Sequence, residues 1–246
     1  MNKNNKTVMI TGAARRVGAV MVEHLHQAGM NIVLHYRSSE KDAMALADSL
    51  NAKRADSVKL LKGDLKNYQN IPNLVTDGIA LFGGIDALIN NASSFYPTDL
   101  QDVNEEIWED LVGVNLKAPL YLTQALANEL KKNQGSIINI VDIHGDRPLK
   151  DYSVYSIAKA GLIMFTKSMA RELAPEIRVN GIAPGAIMWP EEQHYEGMHQ
   201  EIISRTALKR EGSPQDIADT ALFLLAHANY ITGQIIAVDG GRTLSN

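Results

Sequence analysis

The chain has 246 residues and a net charge of −4, with 45% hydrophobic and 21% charged residues and no cysteine. Such a length suits one α/β domain, residues 1–246, with a core large enough to need neither disulfides nor a structural metal. The mild negative charge offers no general attraction to nucleic acid or anionic membranes, and the lack of cysteine excludes thiol catalysis and thiolate metal sites.

Residues 1–6 are polar and lead straight into an apolar run, with neither a signal-peptide core nor a bilayer-length segment, so the cytoplasm is the expected location. Short β-branched runs at 7–10, 31–34, 58–61, 87–89, 136–141, 178–182 and 234–238 alternate with helical patterns. That rhythm predicts a Rossmann-like, doubly wound parallel sheet of about seven strands flanked by helices.

The first strand runs into Thr11-Gly-Ala-Ala-Arg-Arg-Val-Gly18, ahead of an amphipathic stretch at 20–28. Gly12 permits a sharp turn and Gly18 a close helix, so this loop, with Arg15, Arg16 and Val17, is expected to turn its N–H groups toward a pyrophosphate. After the second strand stands His35-Tyr36-Arg37-Ser38, where NAD-binding sheets carry an acid for the ribose hydroxyls. An acid would repel a 2′-phosphate, whereas the Arg37 guanidinium and the Ser38 hydroxyl both bond to one, so NADPH is the expected cofactor.

Asp64 and Leu65 follow the third strand and are placed to receive the adenine, although Gly-Asp there is also a common turn. Asn91, Ala92 and Ser93 follow the fourth strand, where small residues let a cofactor approach, and Phe95 and Tyr96 offer a flat wall or plain loop packing. Asn115 falls inside a helical stretch at 108–130, where an amide competes with the backbone and ordinarily points to water.

The fifth strand ends at Asp142, either a turn cap or a carboxylate at the ligand-facing edge of the sheet. Thirteen residues on, Tyr155 and Lys159 stand four apart in a helical pattern at 152–173, hence on one face. A phenol has a pKa of about 10, and an ammonium about 4 Å away favours the phenolate by about 4 kcal/mol at an effective dielectric near 20. On that arithmetic Tyr155 becomes a general acid near neutral pH.

Pro184 and Gly185 make a turn after the sixth strand, suited to the nicotinamide carboxamide. The long stretch 186–211, polar and irregular from 188 to 210 and carrying Trp189 and Tyr195, reads as a cover over the substrate. His194 and His199 in it match no metal pattern and are expected to face solvent. Ser213-Pro-Gln-Asp216 is a capping signature for a last helix at 217–226.

Together these segments resemble the short-chain dehydrogenase/reductase family along essentially the whole chain, and within it the pteridine reductases. The shared features are the loop with Arg16 where the wider family has a third glycine, the His-Tyr-Arg-Ser run at 35–38, and Asn-Asn-Ala-Ser-Ser-Phe-Tyr-Pro at 90–97. Asp142 is a fourth, standing where the wider family has serine.

The resemblance implies catalytic roles for Asp142, Tyr155, Lys159 and Asn115, the last holding a water near Lys159. It implies a pterin stacked between Phe95 and the nicotinamide, with Ser93, Arg16 and Trp189 around it, and a homotetramer built on helices at 104–130 and 152–174. A small-molecule pterin is then the expected partner, with no nucleic acid and no membrane. Two other readings stand beside dihydropterin reduction: a short-chain reductase of a carbonyl such as a 3-oxoacyl thioester, and a non-catalytic NADPH-binding regulator.

Overall fold

In the computed structural model, residues 5–188 and 196–244 are described, apart from the side chains of 196–199. The seven apolar runs form strands β1 (Thr7–Ile10), β2 (Asn31–Tyr36), β3 (Val58–Lys62), β4 (Ala87–Asn90), β5 (Ser136–Ile140), β6 (Arg178–Pro184) and β7 (Ile235–Val238). All pair in parallel, in the order β3-β2-β1-β4-β5-β6-β7. The order reverses between β1 and β4, and at such a switch point the loops leaving the two strands diverge and open a crevice.

Both faces of the sheet are covered, which is why the strands read as continuous apolar runs rather than alternating ones. Helices α1 (Arg16–Gln27), α2 (Glu40–Asn51) and α8 (Pro214–Ala226) lie over one face. There Val8, Ile10, Ile32, Leu34 and Ile89 pack with Met21, Leu25, Leu50 and Leu224. The alternate residues Met9, Val33, Leu88, Ile137 and Val179 point the other way, toward α3 (Ile71–Phe82) and α5 (Ala118–Lys132). Truncating a side chain such as the fully buried Leu88 to alanine costs about 2–5 kcal/mol in sites of this kind.

Two stretches depart from the simple helical pattern. The expected helix at 108–130 is divided into α4 (Glu105–Val112), a π-helical turn at Gly113–Lys117 and α5. The region from 188 to 210, expected to be irregular, contains α7 (Glu196–Arg205), whose polar sequence gives little periodic signal. The last helix begins as expected, the Ser213 side chain and the Asp216 carboxylate capping each other's backbone N–H groups.

The turn after β1 is braced from below. His35, at the end of β2, is fully buried, and its Nδ1 accepts the Gly12 N–H at 3.3 Å. That fixes the neutral tautomer, so Nε2 carries the hydrogen and donates to the Gly63 carbonyl at 3.2 Å. Burial lowers the His35 pKa to about 4, because a buried imidazolium would have lost its hydration.

The consequence for stability has a definite sign. Unfolded His35 titrates near 6.5 and folded His35 near 4, so its contribution is full above pH 6.5 and is lost as the pH falls toward 4. The loss amounts to about 3 kcal/mol at about 1.4 kcal/mol for each pKa unit. Urea unfolding between pH 4 and 7 should show this slope, and His35→Gln should flatten it; an unchanged slope would mean the imidazole is not the titrating group.

Candidate active site

The residues singled out in the sequence converge on the carboxyl edge of the sheet. Gly12 takes φ +60, and a Cβ on it would lie 2.8 Å from the Cα of Ala92, so the turn after β1 and the segment after β4 touch as only glycine allows. Thr11 and Asn91 lock them together. The Thr11 hydroxyl accepts the N–H groups of Asn91 and Ala92 at 2.9 and 3.0 Å, and the Asn91 amide donates to the carbonyls of Thr11 and Gly12 at 2.9 and 3.0 Å. Asn91 and His35, both expected as cofactor contacts, therefore serve to shape the turn.

Arg16 adopts φ +55 at the first position of α1, which explains why the wider family is expected to carry glycine here. A side chain in that region costs on the order of 1–2 kcal/mol. Arg15, Arg16 and Arg37 are exposed around the turn, as is Ser38, and Val17 is partly covered. Arg15 approaches Asp42 at 3.7 Å, a solvent-screened pair.

Helix α1 has no side-chain cap and no acid in its first turn, whereas α2, α4 and α8 each carry acids in theirs. Its first N–H groups thus keep their partial positive charge for an external anion. This uncapped helix, the close glycine turn and the basic rim fit the phosphates of a nicotinamide dinucleotide.

At the turn expected to receive the adenine, Asp64 is exposed, but its carboxylate accepts the Lys66 N–H at 3.0 Å, so it also makes the simple turn. Leu65 is buried in the core rather than presented on the surface. At the other end, Gly185 lies against β7's continuation, its N–H donating to Val238 at 3.0 Å, with Pro184 closing β6. A Cβ on Gly185 would meet Asp239 at 2.7 Å. Trp189, Tyr195 and His194 fall outside the described residues, as does the side chain of His199.

The catalytic candidates lie between these limits. Helix α6 (Ser153–Glu172) carries Tyr155 and Lys159, both buried, at 4% and 2% exposure. The Tyr155 hydroxyl donates to Asp142 Oδ2 at 2.7 Å, while Asp142 Oδ1 accepts the His144 N–H at 2.8 Å. Asp142 thus caps the turn after β5 with one oxygen and meets the phenol with the other. Lys159 Nζ donates to the Ile140 carbonyl at 2.9 Å and lies 5.6 Å from the centre of the Tyr155 ring.

The electrostatics correct the sequence-based expectation for Tyr155. Burial and then the Asp142 carboxylate raise its pKa well above 10 rather than bringing it toward neutrality. Spacing alone showed the lysine and could not show that the phenol would sit in a dry site against an acid. Burial also lowers Lys159, to about 8, so it remains an ammonium at neutral pH.

Asn115 is buried, contrary to the water-facing expectation for a helix-interior amide. In the π-helical turn its Nδ2 donates to the Leu111 and Ser94 carbonyls, both at 2.9 Å, and its Oδ1 accepts the Ser93 hydroxyl at 2.7 Å. Phe95, half-exposed, stacks on Tyr152 with centroids 4.6 Å apart and meets Tyr155 edge-on at 4.8 Å. Tyr152 thus belongs to the same aromatic wall, three residues before Tyr155, where helical periodicity gave the only hint of it.

Beneath the site a polar brace passes unnoticed in the sequence. Asn90 donates to Asn139 Oδ1 at 2.8 Å, and Asn139 donates to the Thr166 hydroxyl at 2.8 Å, which fixes α6 to β4 and β5. Among the described residues no group of three or more His, Asp or Glu side chains is arranged to hold a metal ion, and no helix is long and apolar enough to cross a membrane.

Comparison with known proteins agrees with this geometry. A family model described as enoyl-(acyl carrier protein) reductase matches residues 12–243. Pteridine reductase 1 of Leishmania tarentolae is 36% identical over 277 residues, covering 96% of each chain. The 3-oxoacyl-(acyl-carrier-protein) reductase FabG of Staphylococcus epidermidis is 32% identical over 241 residues, with 96% of this chain and 98% of that one covered. The uncharacterized oxidoreductase YmfI of Bacillus subtilis is 33% identical over 241 residues, with the same shares covered. Matches of this extent, on a sheet whose carboxyl edge gathers Tyr155, Lys159 and a braced glycine turn, make the protein an oxidoreductase of the short-chain dehydrogenase/reductase family.

Proposed function

We propose that the protein is an NADPH-dependent reductase of dihydropterins, such as dihydrobiopterin or dihydrofolate, acting as a cytoplasmic homotetramer. The observation that carries this reading is the 2.7 Å bond from Tyr155 to Asp142. A carboxylate beside the phenol makes it less acidic, which is a handicap for polarising a ketone. The handicap is smaller for a ring C=N, whose nitrogen is already more basic than a carbonyl oxygen before the hydride arrives. The 36% identity to a pteridine reductase supports the same choice.

When bound, the cofactor supplies the hydride. Tyr155 holds the proton for the adjacent ring nitrogen, and Lys159 stabilises the phenolate left behind. A phenolate against the Asp142 carboxylate places two anions in contact, and such a pair draws a proton from solvent. Asp142 is partly open, so that proton has a route. Phe95 provides one face of the pterin slot, with Ser93 and Arg16 toward its polar edge. Arg37 and Ser38 hold the 2′-phosphate. Exposed Trp108, Leu120, Ile157 and Met164 on α4, α5 and α6 support assembly through those helices.

The FabG relatives favour a second reading, reduction of a 3-oxoacyl thioester. Cofactor oxidation measured with dihydropterins beside a 3-oxoacyl substrate separates the two, and turnover of the latter alone would overturn the proposal. The third reading, a regulator without turnover, is disfavoured by a buried proton donor that sensing does not need.

Tyr155→Phe should lower kcat by at least about 100-fold while NADPH affinity by fluorescence titration changes less than about twofold, and retained turnover would rule out this proton donor. Because Lys159 must be charged and titrates at about 8, kcat should fall as the pH rises through about 8. Lys159→Met should remove that limb from the pH profile. Arg37→Ala should weaken NADPH by about 10- to 100-fold, the loss of charge-assisted bonds, and NADH hardly at all. Equal loss for both cofactors would reject the phosphate assignment.

A further inference from the structure

Asp110, on α4, stands outside the catalytic group yet reaches both sides of the site. Its Oδ1 accepts from Lys66 Nζ at 2.8 Å, and Lys66 directly follows the Asp64-Leu65 turn. Its Oδ2 accepts the Tyr96 hydroxyl at 3.2 Å, and the Ser94 hydroxyl bonds to the same carboxylate. Burial works to raise its pKa, but the Lys66 ammonium and the two hydroxyls outweigh that and hold it below the ordinary carboxylate value, so it stays an acceptor.

The arrangement of 93–96 follows from those bonds. Asn115 takes the Ser93 hydroxyl and the Ser94 carbonyl, and Asp110 takes the hydroxyls of Ser94 and Tyr96. Exposure alternates along 93–97, with Ser93, Phe95 and Pro97 open and Ser94 and Tyr96 partly covered, so neighbours point to opposite sides. With Ser94 and Tyr96 tied to Asp110, Phe95 is left facing the other way, onto Tyr152 and Tyr155.

We infer that Asp110 is a positioning residue: it clamps Ser94 and Tyr96 so that Phe95 is presented as the flat wall of the substrate slot, and through Lys66 it shares that anchor with the cofactor-side turn. Its kinetic consequence rests on the pterin reading above, since a flat wall serves a planar guest. The presentation of Phe95 itself does not depend on the substrate.

Asp110→Asn keeps the shape and loses the charge. The chain has only four phenylalanines, so fluorine-labelled phenylalanine gives four resonances, with Phe95 assigned by Phe95→Leu. In Asp110→Asn the Phe95 resonance should move toward its solvent-exposed position while the other three stay in place; an unmoved Phe95 resonance, or all four moving together, overturns the inference. With dihydropterin, KM should rise about tenfold with kcat within about twofold, and in a Phe95→Ala background the same substitution should add less than about twofold. An unchanged KM, or kcat falling in step with Tm, would also overturn it. If wild-type protein fails to reduce dihydropterin, the functional proposal falls and the resonance still decides the role of Asp110.

Discussion

The hydrogen bond from Tyr155 to Asp142 joins the start of α6 to the end of β5, and most of the site's geometry exists to hold it. It is an expensive bond to maintain. It places a phenol, a carboxylate and the Lys159 ammonium within a few ångströms in a poorly solvated place, where each group has lost hydration. Lys159 offsets part of its loss through the Ile140 carbonyl, the last residue of β5. The rest depends on α6 not sliding along the sheet. Asn139 and Thr166 prevent that two turns beyond Lys159, with about 1 kcal/mol for each neutral bond.

A second constraint acts at the glycine turn, where charge must be kept out of the protein so that it can be accepted from outside. His35 stays neutral beneath the turn, Thr11 and Asn91 use their polar atoms on backbone groups, and the first turn of α1 has no internal anion. A net charge of −4 would argue against anion binding if charge acted only globally. Local arrangement matters more, because an acid-free helix terminus and the exposed Arg15 and Arg16 belong to the same turn.

The sheet was legible because its inner strands β1, β4 and β5 are buried on both faces, so their residues are apolar without alternation, while the edge strands β3 and β7 are only partly covered. The places of Gly12, Gly18 and Arg37, though not their roles, were legible for a different reason: each stands at a fixed offset from a strand end, and offset determines place in a parallel sheet. Spacing alone favoured a water-facing Asn115, because it cannot reveal a π-helical turn, whose extra residue rotates the amide inward. His35 and Asn91 were placed at the right edge, and the partners that arrive from β1 and β3 show that their side chains brace the turn from within. Asp110 gave no signal at all, since an acid on the polar face of an amphipathic helix is expected to meet water.

The acidity of Tyr155 shows what spacing leaves out. Lysine four residues away predicts a more acidic phenol if both groups share a medium like water, but the two are buried and the nearest hydrogen-bond acceptor is a carboxylate. Desolvation and the Asp142 charge then act in the same direction, and the Lys159 ammonium, directed at Ile140, does not outweigh them. A phenol so disposed is a firm holder of its proton, which it releases only to a strong base. Hydride addition makes either a ketone oxygen or a ring nitrogen strongly basic, but before it the nitrogen is already the more basic of the two. On the proposed function, Asp142 therefore does more than make a contact: it sets which acceptors Tyr155 can protonate, and so favours the heterocycle over a ketone.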